Sequence, residues 1–112
     1  MAYDEILAER IAALLTDETG VTSKKMFGGI GFMVERHMAV AAFSSGDLMV
    51  RVDPEVGRGW VDGETVRPME MGGRVMHGWL LVALDAVDSE VGLQQWVGRG
   101  VAYVRTLPPK RP

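Results

Sequence analysis

The sequence predicts one α+β domain: a mainly antiparallel sheet with an N-terminal helix, a short middle helix and a long C-terminal helix. Three observations carry this prediction. Apolar residues recur at helical spacing from Asp4 to Thr16 and again from Asp88 to Leu107. Between them, from Ser23 to Val52, much of the chain alternates with period two, as half-buried strands do. Turn-forming clusters interrupt this middle region at short intervals. A chain of 112 residues, 47% of them hydrophobic, is long enough to bury a core of its own, so residues 1–112 are read as a single domain.

The elements follow in order. Tyr3, Ile6, Leu7, Ile11, Leu14 and Leu15 form the inward stripe of the first helix. Glu5 and Glu9 sit in its early turns, where the helix dipole favours negative charge, and Thr19-Gly20 ends it with Gly20 as a left-handed cap. The densest pattern comes next, Lys24-Lys25-Met26-Phe27-Gly28-Gly29-Ile30-Gly31-Phe32-Met33. Gly28 and Gly29 have no Cβ, so inside a strand pattern they predict a bulge or a sharp change of direction. Ile30, Phe32 and Val34 share one face; Gly31 and Met33 share the other. Glu35-Arg36-His37 reads as a hairpin turn. Met38 to Phe43 is almost wholly apolar, as a strand covered on both faces would be.

Ser44 to Asp47 is a turn by composition. Leu48, Val50 and Val52 then alternate with Met49 and Arg51, so Arg51 projects from the face opposite Val50 and Val52. Three or four successive antiparallel strands account for the region. Asp53 is placed to cap a short helix with Pro54 at its first position. Gly57 and Gly59 weaken that helix and Asp62-Gly63 closes it. Thr65-Val66-Arg67 is a strand that Pro68 confines to an edge. Gly72 and Gly73 form a second glycine pair, in a loop, and His77 to Leu84 is a further strand. Asp88-Ser89-Glu90 opens the last helix, whose stripe is Leu93, Trp96, Val97, Gly100, Val101, Val104 and Leu107. Pro108-Pro109 stops it before a short basic tail.

Composition bounds the function. The net charge of −3 argues against a dedicated non-specific nucleic-acid binder, which is usually basic. No cysteine is present, which removes thiolate catalysis, thiolate metal sites and disulfides. The longest apolar runs, Trp79 to Leu84 among them, are too short to cross a bilayer. The acidic N-terminus lacks the features of a signal peptide. A cytoplasmic protein with no membrane contact is expected.

No residue set stands out as catalytic, metal-binding or cofactor-binding. His37 and His77 lie in no nucleophile motif, and they read as a turn residue and a strand-flanking residue. Asp85 and Asp88 read as helix-start residues. The glycine pairs could cradle an anion on successive N–H groups, but a strand bulge accounts for Gly28 and Gly29 more simply, and no dinucleotide or P-loop fingerprint is present. Methionine is frequent, eight in all, mostly in the sheet region. Met69-Glu70-Met71 has a spacing known for soft-metal binding, but core filling or an adaptable contact surface is the simpler account.

The string from Lys25 to Met33 resembles the opening motif of the TfoX/Sxy N-terminal domain family. Later pieces agree in order: Met38, Leu48 to Val52, Pro68-Met69, Met71-Gly72-Gly73-Arg74, Gly78-Trp79, Trp96-Val97, and Leu107-Pro108-Pro109-Lys110. The resemblance spans nearly the whole chain. It implies a two-layer sandwich like that of secretion chaperones, with helices on one face of the sheet. It also implies a link to regulators of natural competence, which act with a cyclic-AMP receptor protein and carry an additional C-terminal domain. This chain ends at Pro112 and is expected to be a stand-alone domain of that type. The resemblance carries over no catalytic residues. It makes Met26, Phe27, Gly28, Gly29, Gly31, Gly72 and Gly73 structural motif positions.

Three function classes follow. The first is a non-enzymatic protein–protein adaptor or transcription co-regulator, its contact surface a Met- and Val-rich face near Arg51, with self-association into a homodimer natural for the fold. The second is direct nucleic-acid contact through Lys24, Lys25, Arg74, Lys110 and Arg111, which the net charge disfavours. The third is a small-ligand or enzymatic pocket lined by Met33, Met49, Arg51, Met71 and His77.

Overall fold

The structure, a computed structural model, describes residues 4–26 and 28–108. Helix α1 spans Glu5–Leu14, and Asp4 caps it by accepting from the Leu7 amide at 2.9 Å. Leu7 and Ile11, one turn apart, are fully enclosed, and Leu15 continues their line just past the helix. The expected stripe is narrower than predicted. Ile6 is 70% exposed, because the helix turns it away from the sheet, and Ala8 is buried instead. Tyr3 lies outside the described residues. Gly20 has φ +75° but does not cap α1: turns after Leu14 separate them, and Gly20 leads into the first strand.

Four antiparallel strands follow, β1 (Val21–Met26), β2 (Gly29–Val34), β3 (His37–Ala42) and β4 (Leu48–Arg51). The β2–β3 turn is Glu35-Arg36 alone, both with positive φ (51° and 73°), a primed geometry that matches strand twist. His37 therefore belongs to β3 rather than to the turn. Helix α2 (Pro54–Arg58) is capped by Asp53, with Pro54 at its start as expected, and it already ends at Gly59. Strands β5 (Val66–Met71) and β6 (Arg74–Val82) complete the sheet, and Gly72-Gly73 is the turn between them. Pro68 does not end β5; the strand runs on past it. It is an edge strand, as Pro68 requires. A short helix α3 (Leu84–Val87), not foreseen, precedes α4 (Glu90–Val104), which Ser89 caps by accepting from the Gly92 amide at 3.0 Å.

Strand order is β1-β2-β3-β4-β6-β5. One large core lies between sheet and helices, combining Leu7, Ile11, Leu93 and Val97 with Phe32, Val40, Val50 and Val82. The buried residues of α4 are the predicted Leu93, Trp96, Val97, Gly100, Val101 and Val104. The predicted α+β fold, with an N-terminal helix, an antiparallel sheet and a C-terminal helix, is thus the observed one.

The Gly28-Gly29 bulge is not found. Gly28 lies in a turn with φ +76° and Gly29 starts β2. The irregularity sits lower on the β2–β3 pair, where Phe32 faces Val40 but Met33 faces Met38, leaving Ala39 as the extra residue. That bulge aims the Ala39 carbonyl at α4. A Cβ on Gly100 would stand 2.6 Å from this oxygen, so a glycine is what lets helix and sheet approach here.

Two further contacts fix the helical layer. The Arg99 guanidinium lies 4.3 Å from the Trp60 ring centre and 4.5 Å from that of Trp96. The two indoles meet edge to face at 5.7 Å, joining α4 to the segment after α2. Arg105 donates to Glu18 at 2.8 Å and to the Thr19 carbonyl at 3.2 Å, tying the end of α4 to the segment after α1.

Asp62 shapes the approach to β5. Its Oδ1 accepts from the amides of Glu64, Thr65 and Val66 at 2.8, 2.7 and 2.9 Å. These bonds, that from Val66 foremost, hold the carboxyl below its ordinary value of 3.8 by favouring the charged form. Because the folded value is the lower one, the stabilisation is complete above the unfolded value and is lost as pH falls through the folded value. An NMR titration of the Asp62 carboxyl should give a midpoint below 3.8. A midpoint at or above that value would contradict the hydrogen-bond assignment.

Candidate functional site

The sheet has two unlike faces. Ile30, Phe32, Val34, Val40, Val50 and Leu80 meet the helices. Among the described residues the opposite face carries no helix. There the register sets Gly31, Ala41, Met49 and Leu81 in one row across β2, β3, β4 and β6. Arg51 and Trp79 stand opposite each other in the next row. Ala41, Met49 and Met69 form a small second core, with Met38, Phe43, Met76, Trp79 and Leu81 packed around it and partly exposed. The sequence read Met38 to Phe43 as a strand covered on both faces. It is covered by helices on one face and by methionine and aromatic side chains on the other.

Cations gather around this apolar cluster. Lys24 pairs with Gly31 and so stands on the helix-free face at the β1 edge. Arg51 projects from the middle, with its guanidinium 5.5 Å from the Trp79 ring centre. Arg67 pairs with Leu81 and bonds Asp47 at 3.2 Å. Arg74 precedes Met76 by two residues on β6 and shares its side by alternation. Among the described residues Arg51 makes no ion pair.

The predicted contact residues are only partly brought together. Lys25 pairs with Ile30 and faces the helical side, so the two neighbouring lysines point to opposite faces. Lys110 and Arg111 lie outside the described residues, as does Phe27. Gly31 is buried beneath Met38, whose sulfur occupies the space a Cβ would need. Gly72 and Gly73 are exposed at the tip of the β5–β6 hairpin.

The expected small-ligand pocket does not form around Met49. The cavity there, beside Met38 and Phe43, is about 10 Å³, less than a drug-sized ligand needs by well over an order of magnitude. His77 is exposed on β6. Among the described residues no group of three or more His, Asp or Glu side chains is placed to hold a metal ion.

His37 was underestimated by the sequence. It is 7% exposed, and its Nε2 lies 2.8 Å from the Pro108 carbonyl, so Nε2 carries the hydrogen and donates. Nδ1 is enclosed and has no partner among the described residues. The ring fastens the segment after α4 to the start of β3. No sequence signal marked this, since the partner is a backbone carbonyl 71 positions away.

The profile of the TfoX N-terminal domain matches residues 13–103, most of the chain. The chain belongs to the TfoX N-terminal domain family. The match takes in the whole sheet and nearly all of α4, and so both faces described above. A TfoX N-terminal domain is a regulatory-type rather than a catalytic unit, and the family ties this chain to competence-regulator-like domains. No curated protein matches it. No helix among the described residues is long and apolar enough to cross a membrane.

Proposed function

We propose that this TfoX N-terminal domain is a non-enzymatic binding module, a protein–protein adaptor or transcription co-regulator, that meets its partner through the helix-free face of the sheet. One observation carries the reading. The face holds a second apolar cluster, built on Ala41, Met49 and Met69, that no helix among the described residues covers. Partly exposed apolar side chains ringed by charge are the usual makings of a protein contact surface. Methionine suits the task, since its unbranched thioether chain adapts to different partner shapes. Direct nucleic-acid contact is the weaker reading. Lys24 and Lys25 diverge, and the chain as a whole is acidic.

Site-specific photocrosslinking in the native cytosol tests the proposal. A photoreactive residue at position 24, on the helix-free face, should capture protein; one at exposed position 95, on α4, should not. Capture of a transcription factor at position 24 would favour the co-regulator form. No capture at position 24, or equal capture at both, would sink the adaptor reading.

A further inference from the structure

The two sides of the sheet differ in charge as well as in cover. The chain is net negative, at −3. Yet the helix-free face carries Lys24, Arg51, Arg67 and Arg74 against Asp47, and Asp47 is engaged by Arg67. The acidic surplus lies elsewhere, including Glu5 and Glu9 on α1 and Glu90 on α4. The uncovered apolar cluster is therefore the basic part of an acidic molecule.

This charge pattern selects the occupant. A second copy docked face to face about a two-fold axis would set these cations against their own equivalents, which costs affinity. An extended segment gains nothing from the face, because the sheet's backbone groups are already paired within it. A helix needs only side chains to pack on a sheet face, as α1 and α4 do on the other side. The spacing of the cations fits a helix as well. Lys24 on β1 and Arg51 on β4 are three strands apart. Arg51 also lies two residues further along β4 than Met49, which shares the row of Lys24, so the two cations are about 16 Å apart, or ten to eleven residues of helix at about 1.5 Å each.

Resting on the adaptor reading above, we infer that the helix-free face receives an acidic amphipathic helix from a partner protein. The helix lies across the strands as a third layer. Its apolar stripe covers Met38, Met49, Trp79 and Leu81. Its carboxylates, about three turns apart on the flank of that stripe, meet Arg51 and Lys24. The Arg51 guanidinium suits the role, since stacking on Trp79 holds it in place while its N–H edge stays available to a bidentate acceptor.

The test uses the full chain and three probes. One is an 18-residue amphipathic Leu/Glu peptide, one its Leu/Lys counterpart, and one a duplex DNA of mixed sequence. The acidic peptide should shift backbone amide NMR signals of β3, β4 and β6 and leave the outer residues of α4 unmoved. Arg51→Glu and Lys24→Glu should each weaken its binding about tenfold, the loss of one well-placed charge pair. Lys24 is exposed at a sheet edge, so its variant folds even if the Arg51 variant does not.

Three outcomes overturn the inference: no shift with the acidic peptide, equal binding of the basic peptide, or shifts confined to the helical side. Duplex DNA moving the same amides while the peptide does not would replace it with a nucleic-acid surface. If the peptide fails while photocrosslinking at position 24 still captures protein, the adaptor reading stands and only the acidic helix is wrong.

Discussion

Gly100→Ala is expected to destabilise the domain by about 2–3 kcal/mol. Gly98→Ala, two residues earlier on the same helix, is expected to stabilise it by about 0.5–1 kcal/mol. Both substitutions remove a residue whose freedom in the unfolded chain opposes helix formation, so on α4 alone the two would act alike. Their surroundings divide them. At Gly98 an added methyl would meet nothing within 4 Å. At Gly100 it would stand 2.6 Å from the Ala39 carbonyl oxygen and 3.0 Å from a Val40 methyl. The oxygen belongs to backbone at a bulge on an inner strand of the sheet, so it cannot swing aside as a side chain could. Relief requires α4 to lift from β3, and that opens the core around Val40 and Val97. Urea unfolding followed by far-UV circular dichroism measures both. A pair of variants that moved in the same direction would show that helix propensity, and not approach to the sheet, governs this stretch.

Gly29→Val should cost about 3 kcal/mol, the upper end of the range for overpacking. A Cβ at position 29 would collide with the carbonyl oxygen of Ala42, and Phe43 Cα lies 3.2 Å away. Both neighbours are backbone, and the β-branch of valine adds a second methyl to the conflict. The cost should appear first as lower stability, because the atoms in conflict are backbone, although position 29 lies, like Gly31, on the helix-free side beside Met38 and Met49. Gly72→Asn serves as the control. Gly72 has φ +61° and nothing within 4 Å of a prospective Cβ, and asparagine tolerates that left-handed backbone. The control should lose less than about 1 kcal/mol. A Gly29→Val variant as stable as the parent would remove the structural role of this glycine.

The candidate face was half legible in the sequence. Alternation in Leu48 to Val52 placed Arg51 away from the core, and the number of methionines pointed to an adaptable surface. Two facts lay beyond local pattern. Trp79 meets Arg51 because β6, not β5, pairs with β4, and strand order is decided by the whole sheet. Among the described residues the face is bare because α1, α3 and α4 join one core on the other side, and no periodicity in a strand reports what covers its other side. Lysine neighbours likewise read as one basic pair until the register separated Lys24 from Lys25.

What the sequence by itself determined was local. Asp4, Asp53 and Ser89 begin helices because a short polar side chain can accept the amide bonds that a first turn leaves open. Pro68 makes β5 an edge because it has no hydrogen to donate. The stripe of α4 is buried as its 3.6-residue period requires. Only the tertiary structure decided the rest. It turned the glycines of the opening motif from an expected bulge into a turn and a close backbone contact, moved the bulge to Ala39, and enclosed His37 against Pro108. These depend on which backbone atoms from distant parts of the chain come within a few ångströms of one another. Period and composition describe a residue's neighbours along the chain and are silent about those across it.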